Sequence, residues 1–459
     1  MKRNWVGKWA GALLLAWVSL AGEAAEPTNT AAAPGWLTQP LSLAEAVNVA
    51  LKQNLTILKA QQDLEATHGI VVQTRAIALP KLRATGDYSA TDAIENLPLP
   101  AGFPQVSIQQ EQSWSSGLRL VQSVYEGGRI RSALRTARLA KDQALLQYQA
   151  VAADTLLAVR LAYFDVLLGE QLIQVQQAST NLLARELEDT RKRLEAGTVP
   201  QFNVLRAEVE LANALPRLIR AQNSYRIAKN NLANLLGYRV PPQVWEDVPL
   251  QLSGKLTAEP FAVDLPGALG QALGRRPEVG ALRLAEKLRN ENVSQAKAGY
   301  KPSVQLFSGY GWRSSAFSDD LTRDVPGWNA GAQLNWEIFD GLLTKGRIQE
   351  AEARRQKARL DLDDVQRGIE LEVRTAYSQF IEARELLASQ EKVLEQAEEA
   401  LRLARSRADA GSGTQLDVLG AQTALTEART TQIQSLHDYA AARARLIRAM
   451  GETFERKSE

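Results

Sequence analysis

Residues 117–237 recur at 331–451 with a constant offset of 214 and no gap. The aligned pairs include Gly117/Gly331, Gly127/Gly341, Arg160/Arg374, Tyr163/Tyr377, Gly197/Gly411, Leu205/Leu419 and Gly237/Gly451. Upstream, an offset of 222 pairs Leu43/Leu265, Ala46/Ala268, Leu51/Leu273, Pro80/Pro302 and Tyr88/Tyr310. The offset changes between Tyr88 and Gly117, so one loop there is longer in the first copy. The unit is far larger than a solenoid repeat. One unit used twice implies a pseudo-symmetric object in which the copies share the work.

Each copy reads as helix, strand, loop, strand, very long helix, turn, helix. Ser42 followed by Glu45 is a capping box, and a helical pattern runs from there to about Ala78. The second copy starts near Asp264 with Pro266 just inside. Pro80 and Pro302 end these helices at matching positions. The period then becomes two. Leu82, Ala84, Gly86, Tyr88 and Ala90 share one face, and so do Val304, Leu306, Tyr310 and Trp312. Trp114, Leu118, Leu120 and Val124 form a third row, and Trp328, Ala330, Ala332, Leu334, Trp336 and Ile338 a fourth. Alternation over about 10 residues is the pattern of a membrane β-strand, lipid on one side and lumen on the other. Any one such row also fits a soluble sandwich. Four of spanning length, rich in Trp and Tyr, favour the membrane.

The N-terminus points the same way. Lys2, Arg3 and Lys8 precede a short apolar run over 11–20, and Gly22-Glu23-Ala24 is a plausible cleavage site, so residues 1–24 read as an export signal. Its loss removes Lys2, Arg3, Lys8 and Glu23 from 54 basic and 52 acidic residues, leaving 51 of each and no attraction for nucleic acid. Residues 25–40, with Pro27, Pro34 and Pro40, read as an extended linker. Cysteine is absent, so there is no disulfide, and no later stretch is apolar enough for a membrane helix.

Four strands cannot close a barrel. Single-chain barrels start at about 8 strands, and lipid tolerates no open edge. The barrel is therefore expected to be shared among chains. After each second strand a helical run extends from about Arg129 to Ala196 and from Lys345 to Ala410, a rod on the order of 100 Å. Such rods are stable only when packed along neighbours. Gly197 and Gly411 suit left-handed caps, and return helices end near Gly237 and Gly451. Pro216 falls inside the first return helix, where a kink is expected.

Catalytic chemistry has no signature here. The two histidines, His68 and His437, lie far apart in helical stretches, and no metal-ligand spacing, nucleophile elbow, P-loop or dinucleotide fingerprint occurs. No catalytic, cofactor-binding or metal residue is expected, and an enzyme on an α/β scaffold finds no support.

In its order of elements the chain resembles the TolC family of bacterial outer-membrane efflux and secretion proteins. The likeness spans residues 41–451. It rests on the tandem repeat, on Tyr125-Glu126-Gly127-Gly128 and Phe339-Asp340-Gly341 at the strand-to-helix junctions, and on Gly197…Asn203-Val204-Leu205 and Gly411…Asp417-Val418-Leu419 around the turns. The resemblance implies a fold that is mainly α with membrane β. Homotrimers would join a 12-stranded barrel in the outer membrane to a 12-helix tunnel projecting into the periplasm. The expected divisions are a first repeat over 41–237, an equatorial linker over 238–264, a second repeat over 265–451 and a tail over 452–459. Family aspartates after the second turn line a periplasmic gate. Asp417 matches the first, Gly420 replaces the next, and Asn203 holds the matching first-copy position. Ala408 and Gly413 stand where the family's lock has an aromatic and a basic residue. The tips Gly197, Thr198, Val199, Gly411, Ser412 and Gly413 match contact points for a periplasmic adaptor, which in turn links to an inner-membrane pump. The bland reading of Asp417 is a helix-start carboxylate favoured by the macrodipole. The rival to a duct is a periplasmic coiled-coil adaptor without its own pore, and adaptors lack the four lipid-patterned strands.

Overall fold

The structure, a computed structural model, describes residues 35–91, 100, 112–239, 248–315 and 321–452. The expected export signal over 1–24 lies outside these residues, as do most of the tail and residues 240–247 of the linker. In the segment expected as extended, Gly35–Thr38 forms one helical turn (α1) that buries Leu37.

Each copy opens with two helices rather than the single one expected. In the first, α2 (Leu43–Gln53) starts at the Ser42–Glu45 capping box, and α3 (Leu55–Arg75) follows after a break at Asn54. Asn54 ends one helix and starts the next. Its Oδ1 accepts from the Thr56 and Ile57 amides at 2.8 and 3.3 Å, and its Nδ2 donates to the Leu235 carbonyl at 2.7 Å. This buried side chain caps the start of α3 and ties the corner to the end of α5, while the Asn54 amide closes α2 on the Ala50 carbonyl. A single 3-10 turn, Ala76–Ala78, precedes β1 (Lys81–Ala90) and β2 (Gln112–Glu126). Then come α4 (Arg129–Glu195) and α5 (Gln201–Leu235), which continues through Pro216 without ending. The second copy repeats the series as α6 (Leu265–Arg275), α7 (Pro277–Lys297), β3 (Ser303–Ser314), β4 (Asp324–Asn335), α8 (Leu343–Asp409) and α9 (Gln415–Ala449). Its break falls at Arg276, with Pro277 opening the next helix. α4 and α8 have 67 residues each, about 100 Å.

The strands form one antiparallel sheet in the order β1-β2-β3-β4, so the two hairpins join through β2 and β3. The register aligns the apolar rows. Tyr88 faces Trp114, Leu82 faces Leu120, and Leu118, Tyr310 and Trp328 lie in line. Val304 faces Leu334. The opposite face carries Arg83, Arg119 and Asn329 in one row and Gln305 and Gln333 in another. Two expectations shift. A bulge between Ser123 and Tyr125 takes Val124 out of the ladder and puts Tyr125 opposite Val304, so the phase of β2 changes there. β4 ends at Asn335, so Trp336 and Ile338 lie beyond the strand and are exposed.

The core is made twice, once per copy, where the return helix meets the long helix near the middle of the rod. Val159, Tyr163 and Val166 pack with Leu232, Leu236 and Leu250; the repeat partners Val373, Tyr377 and Phe380 pack with Tyr439 and Leu446. The segment 248–263 ties the copies. Leu41 pairs with Leu252, the Tyr163 hydroxyl donates to the Leu41 carbonyl at 3.0 Å, and the Tyr439 hydroxyl donates to the Glu259 carbonyl at 2.7 Å. The buried Arg448 guanidinium joins Asp154 of α4 and Glu278 of α7.

Candidate gate and docking tips at the hairpin ends

The two turns are built alike. Gly197 has φ +73° and Gly411 φ +74°, a left-handed conformation that costs glycine little. The amide of the next residue closes each helix, Thr198 N to Arg193 O and Ser412 N to Arg407 O, both at 2.9 Å. The second turn is tighter, because Gly413 N also reaches Arg407 O at 2.9 Å. A Cβ on Gly413 would lie 3.0 Å from the Ala408 amide nitrogen, whereas one on Gly197 or Gly411 would meet nothing within 4 Å. Gly197, Thr198, Gly411 and Ser412 are exposed; Val199 and Gly413 are half-buried.

Asp417 sits in the first turn of α9. Its Oδ2 accepts from the Thr414 amide at 2.9 Å and the Thr414 hydroxyl at 2.8 Å, while its own amide donates to Thr414 Oγ1 at 3.2 Å. These bonds hold the carboxyl below its ordinary range, the Thr414 backbone first and its hydroxyl second, with the Arg407 charge adding to them. Asp417 is therefore a cap, and it is also exposed and charged at neutral pH. Asn203 holds the equivalent place on α5, half-buried, its amide bonded to Pro200 O at 3.0 Å. Each lies beside its own turn, and among the described residues no bond joins them. Ala408 packs with Leu401 and Val418 in a small apolar cluster.

A polar seam above the tips was not anticipated. Gln415, at the start of α9, donates to Thr190 and to Glu186 Oε1 (3.2 Å) on α4. Higher up, Thr426 bonds Ser179 at 3.2 Å and Thr430 bonds Gln176 at 3.5 Å. Threonines at 423, 426 and 430 carry the only trace of it in the sequence. The repeat does not preserve it. Ala404, Ala400 and Val393 replace Thr190, Glu186 and Ser179, and Ala212 and Pro216 replace Thr426 and Thr430. Nearer the core, His437 of α9 bridges Asp165 of α4 (2.9 Å) and Asp438 (3.0 Å).

No helix among the described residues is long and apolar enough to cross a membrane. The outer membrane efflux protein family model matches residues 46–238 and 268–452, the two copies in turn. The chain belongs to the outer membrane efflux protein family. It is 25% identical over 438 residues to outer membrane protein TolC of Vibrio cholerae, covering 94% of this chain and 95% of that protein. It is 24% identical to the alkaline protease secretion protein AprF of Pseudomonas aeruginosa, covering 88% of this chain and 83% of the other. Among solved structures, the Campylobacter jejuni CmeC outer membrane channel superposes with a TM-score of 0.77 at 18% identity, covering 91% of this chain and 87% of that one. The family comprises outer-membrane efflux and secretion channels rather than enzymes, and this chain is such an outer-membrane channel protein. The periplasmic-adaptor reading finds no support in these likenesses.

Proposed function

We propose that three chains close into a 12-stranded barrel in the outer membrane and a 12-helix tunnel in the periplasm. This duct is the passive exit conduit of a tripartite efflux or type I secretion assembly. The observation that carries the reading is the sheet, which has one mainly apolar face, rich in Leu, Tyr and Trp, and two edges, β1 and β4, unpaired within the chain. Lipid accepts such a face only if both edges find partners.

The repeat supplies a second, independent support. Each residue of α4 has a counterpart on α8 in the same kind of wall, so a difference in burial marks what one chain lacks. Leu146, Leu157 and Leu172 are half-buried, and Leu146 packs on Gly280 of α7. Their counterparts Leu360, Leu371 and Leu386 are 58%, 67% and 49% exposed. Likewise a Cβ on Gly127 would sit 2.6 Å from the Ala298 carbonyl of the second copy, while its counterpart Gly341 meets nothing. Both asymmetries vanish if α8 and Gly341 meet the first copy of a neighbouring chain.

In this assembly residues 1–24 are the export signal, 238–264 the equatorial linker, and the hairpin ends the periplasmic mouth. Asp417 forms a ring of three carboxylates there, with Asn203 on the neighbouring helices. The tips Gly197-Thr198-Val199 and Gly411-Ser412-Gly413 present the surface for a periplasmic adaptor, and the inner-membrane pump is reached only through it. Energy for export comes from that pump. Single-channel recording in planar bilayers tests the gate. A carboxylate ring in a confined mouth favours cations, so Asp417→Asn lowers cation selectivity and weakens block by multivalent cations added from the tip side. Unchanged reversal potential and block return Asp417 to its capping role alone.

A further inference from the structure

Just beyond β2 the charge is one-sided. α4 begins with Arg129, Arg131, Arg135, Arg138 and Lys141 before its first acid, Asp142. Neither α4 nor α8 has an acid in its first turn. Basic residues near a helix N-terminus oppose the macrodipole, so helix stability does not account for them. Part of this charge lines a cleft of about 640 Å³ among α4, α7 and α8. Arg135, Arg138, Lys287, Arg355 and Arg359 line it against Glu286 and Glu291, a local excess of three positive charges. Arg135 reaches Glu291 only at 3.5 Å, and Arg355 donates to Asn290 Oδ1 at 3.4 Å. Among the described residues no carboxylate lies within ion-pair distance of Arg138, Lys287 or Arg359.

The repeat shows that the cleft is not a general feature of the wall. The repeat-equivalent positions read Gln349 and Glu352 on α8, Glu65 and His68 on α3, and Lys141, Asp142 and Leu145 on α4, with no basic excess. Position narrows the ligand. Arg135 and Arg138 follow Arg129 by six and nine residues, about 9 and 13 Å down the axis, and a headgroup layer occupies on the order of 5–8 Å below the hydrocarbon. Helical side chains tilt toward their own N-terminus. α4 starts at the sheet, so Arg135 and Arg138 lean toward the membrane, while Arg355 and Arg359, about 18 and 24 Å below the start of α8, lie deeper in the cleft. Arg135 and Leu139 lie four heptads before Tyr163 and Leu167, the residues under the linker. On helices packed at a period of 3.5 the cleft thus opens on the linker's side. In a closed ring that side is the outside, since the linker would otherwise plug the lumen.

We infer that this cleft binds the phosphate of an anionic phospholipid headgroup from the periplasm-facing leaflet of the outer membrane, one per chain. The inference rests on the barrel reading above for the membrane's place, but the cleft itself lies within one chain. The test is native mass spectrometry of the purified full-length protein in neutral detergent, titrated with short-chain phosphatidylglycerol and, separately, phosphatidylcholine. Phosphatidylglycerol binds at one per chain and more tightly than phosphatidylcholine. Arg135→Gln with Arg138→Gln lowers its affinity on the order of 30-fold, as expected for two basic residues beside an anionic headgroup. The control pair Lys392→Gln with Arg405→Gln, lower on α8, leaves it unchanged. Equal binding of the two lipids, or an equal loss in the control, overturns the inference. So does inorganic phosphate that displaces phosphatidylglycerol as effectively, mole for mole, as a second phosphatidylglycerol does. The same spectra report the oligomer, which separates the two ideas. A monomer with one selective lipid refutes the assembly and keeps the site; a trimer without selectivity refutes the site.

Discussion

Replacing Leu360, Leu371 and Leu386 together by serine should dissociate the assembly while leaving each chain folded. All three are about half or more exposed in the single chain, while their repeat partners on α4 are half-buried. Full burial of a leucine is worth about 1.5–3 kcal/mol, and the missing neighbour covers roughly a third of that, so about 0.5–1 kcal/mol per site. Three sites at each of three interfaces give about 4–9 kcal/mol per trimer. The fold survives because α8 holds its core with a different face, through Val373, Phe380 and Leu387. The assay is light scattering in mild detergent with circular dichroism on the same sample. Leu146→Ser, Leu157→Ser and Leu172→Ser, the same change on α4, should instead unfold the chain, because their partners lie within it. A triple α8 variant that remains a trimer of unchanged heat resistance would show that these leucines do not lie between chains.

Leu334→Arg should abolish membrane assembly and Asn335→Arg should not, because Leu334 lies on the apolar face opposite Val304 and a midplane arginine facing lipid costs about 2–4 kcal/mol; equal trimer yields reject the register. The seam at His437 should be pH-dependent. Burial disfavours its charge, but the hydrogen bonds its ring donates to the Asp165 and Asp438 carboxylates outweigh this and raise its pKa. The stabilisation is then fully present below about pH 6.5 and lost as pH rises through the folded value. Heat dissociation followed from pH 5 to pH 8 should show this slope in the wild type and lose it in His437→Gln.

Much of the architecture is legible in the residues because it is periodic. The 214-residue repeat, the two-residue alternation and the 67-residue rods each show in spacing alone. What escapes is set by single side chains. The α2/α3 corner hangs on Asn54, whose amide bonds are invisible to periodicity, although Pro277 marks the same corner in the second copy. The bulge at Val124 inserts one residue into an otherwise regular row. At the tips, the left-handed glycines and the Asp417 start signal are readable. The Gln415 bonds to Thr190 and Glu186 join segments 225 and 229 residues apart, which no local pattern encodes.

In the trimer β4 of one chain pairs with β1 of the next, and a disulfide can lock that pair. Leu118 faces Tyr310 where β2 meets β3. Carried through the two repeat offsets, that pair becomes Ala332 opposite Tyr88 of the neighbouring chain. Within one chain these residues lie on opposite outer strands of the sheet. The chain has no cysteine, so every disulfide in Tyr88→Cys/Ala332→Cys is interpretable. Facing residues of an antiparallel pair have Cα atoms about 4.5–5.5 Å apart, within disulfide range. Oxidation of intact cells should give a covalent trimer on a non-reducing gel, while Ser89→Cys/Ala332→Cys, one residue out of phase, should give far less. A double variant that stays monomeric, or links equally well in the shifted register, contradicts this pairing.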